Sequence, residues 1–160
     1  MKRLGLLIMS LFLVFGCAHV VSKDLRDRAE KNVPIPSLFR DPDAYKGRIF
    51  ILGGTIVNVT NTDQGTYIEV LEKPLDSRGR PQYTDVSRGR FLVLYDGYLD
   101  KAIFSKGRQI TVAGEVQGSM LRPLGDIDYS YLFVKSRGLY LIKPEYGIPI
   151  QIGIGISHSF

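Results

Sequence analysis

One segment of this sequence occurs twice, sixty residues apart, and both copies have the composition of a bent β-strand. KGRIFILGG at residues 46–54 returns as KGRQITVAG at residues 106–114. Each copy begins with Lys-Gly-Arg, continues in strand-forming residues and reaches glycine at the same offset. Glycine inside a strand permits a bulge or the close approach of a crossing strand. The echo therefore predicts two long, sharply bent strands; chance similarity between two turn-and-strand segments is the alternative.

The remaining sequence predicts a mainly β protein. Runs rich in β-branched and aromatic residues predict five strands, at residues 49–59, 66–71, 91–95, 109–116 and 129–142. Residues 97–106 carry apolar side chains at near-helical spacing and predict a short helix between the third and fourth strands. Two bent strands among five, with this helix, favour a small closed barrel of the OB (oligonucleotide- and oligosaccharide-binding) type over a sandwich or an open sheet.

Residues 1–17 have the order of a bacterial lipoprotein signal. A basic start, Met1-Lys2-Arg3, precedes an apolar run at residues 4–15, and a glycine then precedes Cys17, the only cysteine. This order predicts a signal peptide over residues 1–16, cleavage before Cys17 and acylation of its thiol. The run is shorter than the ~20 residues that a membrane-spanning helix needs. An incidental cysteine after a signal peptide, or an uncleaved anchor, is the alternative.

The rest of the chain divides by composition into three parts. Residues 17–32 are mostly charged and predict a flexible tether, and residues 33–143 form the predicted barrel domain. Residues 144–160 form a tail, and from residue 148 to Phe160 apolar residues alternate with small or polar ones. That period of two is typical of an outer-membrane strand, and it predicts either a strand added to another sheet edge or a disordered end.

The sequence lacks the patterns that indicate catalysis or metal binding. The two histidines, His19 and His158, lie outside the predicted barrel, and Cys17 is assigned to lipid. No nucleophile beside a base, no glycine-rich phosphate loop and no HExxH motif occurs. Two Asp-x-Asp pairs, at residues 41–43 and 126–128, are more typical of turns than of calcium sites. We therefore expect no enzyme, no metal and no cofactor.

Charge gives one candidate ligand site. The formal charge of +5 falls to +3 without the predicted signal peptide, and an exported chain makes nucleic acid an unexpected partner. Arginines on glycine-rich loops can hold phosphate oxygens in bidentate fashion. The alternative is a solvated loop whose arginines serve solubility or pair with Asp76 and Asp85. The four candidate arginines are Arg78, Arg80, Arg88 and Arg90.

Several stretches occur in a fixed order, among them DPDAYKGR at 41–48, TYIEV at 66–70 and SRGRF at 87–91. Together they resemble the Slp family of bacterial outer-membrane lipoproteins, which is named for a starvation-inducible member. The resemblance covers residues 33–142. It implies an acylated N-terminus, a globular β domain at the outer membrane and no known catalytic site, and by position it carries over Cys17. The other stretches are LGGTI at 52–56, GYLD at 97–100 and GRQITVAG at 107–114.

Residues and resemblance together predict a non-enzymatic outer-membrane lipoprotein. It would be held by acylated Cys17, face the periplasm and serve envelope integrity or assembly through contacts with an envelope protein or a glycolipid. Ala18 agrees with this location, since an aspartate after the acylated cysteine retains enteric lipoproteins in the inner membrane. The alternative is a ligand-binding module that holds an anionic glycolipid or oligosaccharide on the barrel face.

Overall fold

Five β-strands are the main elements of the computed structural model, which describes residues 18–144. Cys17, the predicted signal peptide and the tail from residue 145 onward lie outside the described residues. Two short helices, α1 (Lys23–Arg28) and α2 (Ile35–Arg40), and a 3₁₀ turn (Pro42–Tyr45) precede the strands. The strands are β1 (Ile49–Thr62), β2 (Gly65–Glu72), β3 (Arg90–Tyr95), β4 (Gln109–Leu124) and β5 (Ile127–Leu141).

The five strands close into one ring in the order β1-β2-β3-β5-β4. All neighbours are antiparallel except β3 and β5, which are parallel. The prediction of a mainly β protein with five strands in a closed sheet is confirmed, and most predicted strand bounds agree to within a few residues. β4 is the exception, because it continues eight residues past its predicted end at residue 116 and forms a long hairpin with β5.

The two copies of the echoed segment are antiparallel partners in the ring. At one end of the β1–β4 pair, the N–H of Gly47 donates to the carbonyl of Val116 at 2.9 Å. At the other end, the N–H of Gly107 donates to the carbonyl of Ile56, also at 2.9 Å. Both glycines have positive φ, at 79° and 88°, which a residue with a side chain rarely adopts. The repeated sequence therefore corresponds to two equivalent turn-and-strand units, which a local two-fold symmetry relates.

The later glycines of each copy permit the close approaches that the sequence predicted. A Cβ on Gly54 would lie 2.0 Å from the carbonyl oxygen of Leu71, where β1 meets β2. A Cβ on Gly114 would lie 2.8 Å from the side chain of Val134, and the β4–β5 register shifts at this glycine. The close approach of a neighbouring strand, which is one of the two reasons predicted for these glycines, is therefore confirmed at both positions.

Alternating residues of the strands point into the ring and form one apolar core. Ile68 and Val70 on β2, and Phe91 and Val93 on β3, are completely buried there. Leu38 of α2 joins this cluster, so the helix covers part of the ring. Burial of side chains this size contributes roughly 1.5–3 kcal/mol each to the free energy of unfolding.

The predicted helix at residues 97–106 is wrong. The structure has one turn there, in which the carbonyl of Asp100 accepts from the N–H of Phe104 at 2.9 Å. The carboxylate of Asp100 also accepts from the backbone N–H two residues later, which favours a turn over helix propagation. Of the apolar residues that gave the helical spacing, Leu99 is buried but Tyr98 is 77% exposed. The spacing did not mark a buried helical face.

The predicted flexible tether is also wrong for the part that the structure describes. Val21, Leu25 and Ala29 lie four residues apart, before, within and directly after α1, and all three pack against the cluster that contains Ile49 and Ala113 of the ring. Val21 is only 1% exposed. Charged neighbours hide this stripe of apolar residues in the sequence, but its spacing places it on one helical face. The packed unit therefore begins near residue 20 instead of residue 33.

Candidate functional site

The four arginines of the predicted site divide into two pairs with different surroundings. Arg88 donates from Nη1 and from its backbone N–H to the two carboxylate oxygens of Glu72, both at 2.8 Å. The side chain of Glu72 is 3% exposed. Because a buried carboxylate needs a compensating charge or donors, Arg88 has a structural role in the wall of the ring.

Arg90, two residues further along the chain at the start of β3, has a similar role. Its Nη1 donates to Glu69 Oε1 at 2.6 Å, and the hydroxyl of Tyr131 donates to the same oxygen at 3.0 Å. The hydrogen bond with Glu69 raises the pKa of Arg90. The pKa of Tyr131 is also raised, mainly by burial of its hydroxyl. The arginines of this pair thus bind glutamates of β2, and not Asp85 as the sequence alternative proposed.

Arg78 and Arg80 lie on a loop that is held in one conformation. Asp76 Oδ1 accepts from the backbone N–H groups of Arg78 at 2.8 Å and Arg80 at 2.9 Å, and these bonds, led by that of Arg80, lower the pKa of Asp76. Between the two arginines, the carbonyl of Gly79 accepts from the buried hydroxyl of Thr111 at 2.7 Å. The loop therefore presents its arginine side chains from a fixed backbone.

These two arginines border a groove that the sequence did not predict, here called the basic groove. It consists of three adjoining depressions that share Ile142 and Lys143, at the open end of the β4–β5 hairpin. Asp76 and Asp85 are the acidic residues along it, and Tyr83, 81% exposed, stands on its rim. Its cationic residues are Lys73, Arg78, Arg80, Arg108 and Lys143.

Two of the cations also hold the groove's walls together. Lys73 Nζ donates to the carbonyl of Thr84 at 2.6 Å, which fixes the loop that carries Tyr83. Arg108 Nη2 donates to the carbonyl of Ile142 at 3.3 Å, which fixes the end of β5. Arg78 and Lys143, by contrast, are exposed and can meet an anion without breaking these contacts.

A second surface, here called the aromatic cleft, lies on the outer face of β2, β3 and β5. Tyr67, Leu92 and Tyr131 point away from the ring and are nevertheless nearly buried, at 8%, 4% and 2% exposed. The guanidinium carbon of Arg122, on the β4 extension, lies 4.3 Å from the centre of the Tyr67 ring. The cleft residues are Asn58, Thr60, Tyr67, Glu69, Leu92, Arg122, Pro123 and Tyr131.

The chemistry of both surfaces is that of binding. Guanidinium and ammonium groups in the groove suit phosphate. In the cleft, the carboxylate of Glu69 and the guanidinium of Arg122 suit the hydroxyl and acidic groups of a sugar. Within residues 18–144, no three metal-ligating side chains come together. Over the same residues, no helix is both long and apolar enough to cross a bilayer.

Only part of these two surfaces could be located from patterns in the sequence. Alternation on β2 puts Tyr67 and Glu69 on one face, and alternation on β5 puts Tyr131 on the same outer face of the ring. Placing β3 between these two strands would therefore have located the cleft. Lys143 and Arg108 had no local signal, because the basic groove joins segments far apart in the sequence.

Comparison with known proteins adds a family and two curated relatives. The model of the family described as "Outer membrane lipoprotein Slp family" matches residues 14–150. Outer membrane protein Slp of Escherichia coli K12 is 25% identical over 137 residues, covering 84% of this chain and 72% of the relative. The uncharacterized lipoprotein YeaY of the same organism is 33% identical over 97 residues, covering 61% of this chain and 50% of the relative.

Among solved structures, the match is remote. The crystal structure of Schizosaccharomyces pombe Pot1pC bound to single-stranded DNA has a TM-score of 0.36 and 9% sequence identity, covering 64% of this chain and 84% of that one. A similarity this low supports no conclusion about what this chain binds.

Proposed function

Since the chain belongs to the outer membrane lipoprotein Slp family, we propose that it is held at the outer membrane by acyl chains on Cys17 and works without catalysis. Its domain would face the periplasm and serve envelope integrity or assembly through contacts with an envelope protein or a glycolipid. The observation that carries this proposal is the family match over residues 14–150, which includes Cys17 and the whole described fold.

The packing of the N-terminal segment supports an anchor close to the domain. The backbone N–H of Val20 donates to the carbonyl of Arg78 at 2.9 Å, so the chain is attached to the domain three residues after Cys17. Three residues span at most about 11 Å when fully extended. Acyl chains on Cys17 would therefore keep one side of the domain next to the bilayer.

Replacing the cysteine tests this proposal. We expect Cys17→Ser to lose acylation and to leave the outer-membrane fraction, while its circular dichroism stays that of a folded β protein. Ser22→Ala is the matched control, because Ser22 is exposed and its side chain does not cap α1. Mass spectrometry of the mature N-terminus and membrane fractionation are the measurements. An unmodified wild-type N-terminus, or unchanged fractionation of Cys17→Ser, would contradict the proposal.

The aromatic cleft favours a second function, the binding of an anionic oligosaccharide or glycolipid on the barrel face. The strand order with parallel β3 and β5 supports the OB type, in which the face of strands 2 and 3 binds oligonucleotides and oligosaccharides. In this chain that face carries Tyr67, Glu69 and Leu92. Arg88 and Arg90 already bind glutamates, so Arg122 would supply the cation for an acidic sugar.

Substitution of Arg122 tests this second function. We expect Arg122→Gln to weaken binding of lipopolysaccharide core oligosaccharide about tenfold, because a hydrogen bond between a guanidinium and an acidic group of the ligand contributes about 1.5 kcal/mol. Arg40→Gln removes an exposed charge outside the cleft and is the control. Isothermal titration calorimetry measures both variants. Equal affinity of Arg122→Gln and the wild type would reject the cleft as the binding site.

A further inference from the structure

We propose that the basic groove, with Tyr83 on its rim, lies against the anionic phospholipid headgroups of the bilayer that holds Cys17. This inference rests on the acylation proposed above and adds an orientation to it. The groove would be the membrane-facing side of the domain, and the opposite end of the β4–β5 hairpin would point away from the lipid.

The position of the anchor is the first argument. Val20 lines the groove together with Arg80 and Lys143. The first described residue is Ala18, which follows Cys17 directly, and the chain from Cys17 to Val20 reaches at most about 11 Å. That distance is close to one Debye length at physiological salt, so the groove's charge acts on the headgroups around the acyl chains. The anchor therefore brings these cations within reach of the headgroup region.

The chemistry of the groove is the second argument. Five cationic residues line it against two carboxylates, Asp76 and Asp85. Asp76 already accepts two backbone N–H groups, which leaves the exposed guanidinium of Arg78 for a phosphodiester. Tyr83 is 81% exposed, and an exposed tyrosine beside arginine and lysine is typical of a membrane interface. Val86, 57% exposed, lies three residues along the same loop.

The hairpin provides a reference point away from the groove. Gln109 and Ile142 line the groove at the open end of the β4–β5 hairpin. Ile127, 62% exposed, lies at its closed end, next to the turn after Leu124. The full length of β4 separates the two positions, so a probe at each reports which end of the domain faces the bilayer.

The experiment uses the acylated full-length chain in vesicles. Because the thiol of Cys17 is acylated, Val86→Cys and Ile127→Cys each give a single free thiol for a bimane label. The vesicles contain phosphatidylcholine with or without phosphatidylglycerol, and a headgroup nitroxide lipid serves as quencher. We expect strong quenching at residue 86 and weak quenching at residue 127, only with phosphatidylglycerol present and decreasing at high salt.

Removing two positive charges from the groove tests whether these charges set the orientation of the domain. In the Val86→Cys background, we expect Arg78→Gln with Lys143→Gln to lower the equilibrium constant for the groove-down orientation about 25-fold, at about fivefold for each charge near an anionic surface. Arg40→Gln with Lys101→Gln removes the same charge from exposed positions that do not line the groove, and should leave the quenching unchanged.

The remaining outcomes contradict either the proposed function or the proposed orientation. A chain that carries no acyl group or does not enter the vesicles contradicts the proposed function itself. Three results with an acylated, vesicle-bound chain overturn the orientation: no quenching at residue 86, equal quenching at both positions, or quenching that needs lipopolysaccharide instead of phosphatidylglycerol. A label shielded from both lipid and aqueous quenchers until residues 145–160 are deleted also overturns it, because the tail then occupies the groove.

Discussion

Arg88→Gln separates a structural arginine from a ligand-binding one. The substitution removes the charge that faces Glu72 but keeps the backbone N–H of Arg88, which donates to Glu72 Oε2 at 2.8 Å. If the arginines served only solubility or an external ligand, the variant would fold with wild-type stability. If Arg88 compensates a buried charge, the free energy of unfolding must fall.

The magnitude follows from the burial of the two side chains. Breaking a fully buried ion pair by removing one partner costs about 3–5 kcal/mol. Glu72 is 3% exposed but Arg88 is 33% exposed, so water can approach the carboxylate after the substitution. The remaining backbone hydrogen bond retains part of the compensation. We therefore expect Arg88→Gln to lower the free energy of unfolding by about 2 kcal/mol.

Urea denaturation followed by circular dichroism measures this effect, since the chain has no tryptophan for fluorescence. A loss of about 2 kcal/mol lowers the midpoint by about 1 M urea at a typical slope of about 2 kcal/mol/M. Adding Glu72→Gln to Arg88→Gln should restore much of the loss, because no charge is then left buried. Arg78→Gln, on the exposed loop, should stay within about 0.5 kcal/mol of the wild type. If Arg88→Gln were equally stable, the compensation argument would be wrong.

Three further substitutions test the packing, the anchor segment and the loop. Gly54→Ala should prevent folding or lower the free energy of unfolding by more than about 4 kcal/mol, since its Cβ would lie 2.0 Å from a backbone oxygen. Gly53→Ala should lower it less, because its Cβ first meets a flexible leucine side chain, at 2.6 Å. Urea midpoints measure both variants. Val21→Asp should release residues 18–32 to limited proteolysis, because Val21 is 1% exposed, and an unchanged digestion pattern would contradict the packing. Asp76→Ala should lose stability at neutral pH. The pKa of Asp76 is lowered from 3.8 in the folded state, so this stabilisation is complete above that pH and is lost as the pH falls through the lower folded pKa. The difference from wild type in urea should therefore close in acid, and a difference that stays constant with pH would refute the assignment.

The strands could be predicted because each satisfies a local rule. β-Branched runs and turn residues located all five, and the echo indicated where two of them bend. The helix at residues 97–106 failed on the same kind of local evidence. Apolar spacing there suggested a helical face, but the segment makes only the turn that begins at Asp100, and Tyr98 stays 77% exposed instead of packing on the core.

The candidate site was less predictable because its contacts are non-local. Glu72 and Arg88 are sixteen residues apart, and only the β2–β3 pairing brings them together. The basic groove needs Lys143 at the end of β5 beside Arg80 of a loop sixty residues earlier. No pattern within one strand encodes that proximity. The stripe at Val21 was predictable in principle, since its period of four was present but hidden by charged neighbours.

The two candidate surfaces share no lining residue, and this separation has a consequence for function. The basic groove gathers the N-terminal segment, the Arg78–Arg80 loop and the end of β5, whereas the aromatic cleft lies on β2, β3 and the extended β4–β5 hairpin. A domain that rests on lipid through the groove would therefore keep the cleft open toward the periplasm. Charge removal at Arg78 should change orientation without changing oligosaccharide affinity, and Arg122→Gln should do the reverse. If either substitution altered both measurements, the two surfaces would not act independently, and the separation of anchor contact from ligand binding would fail.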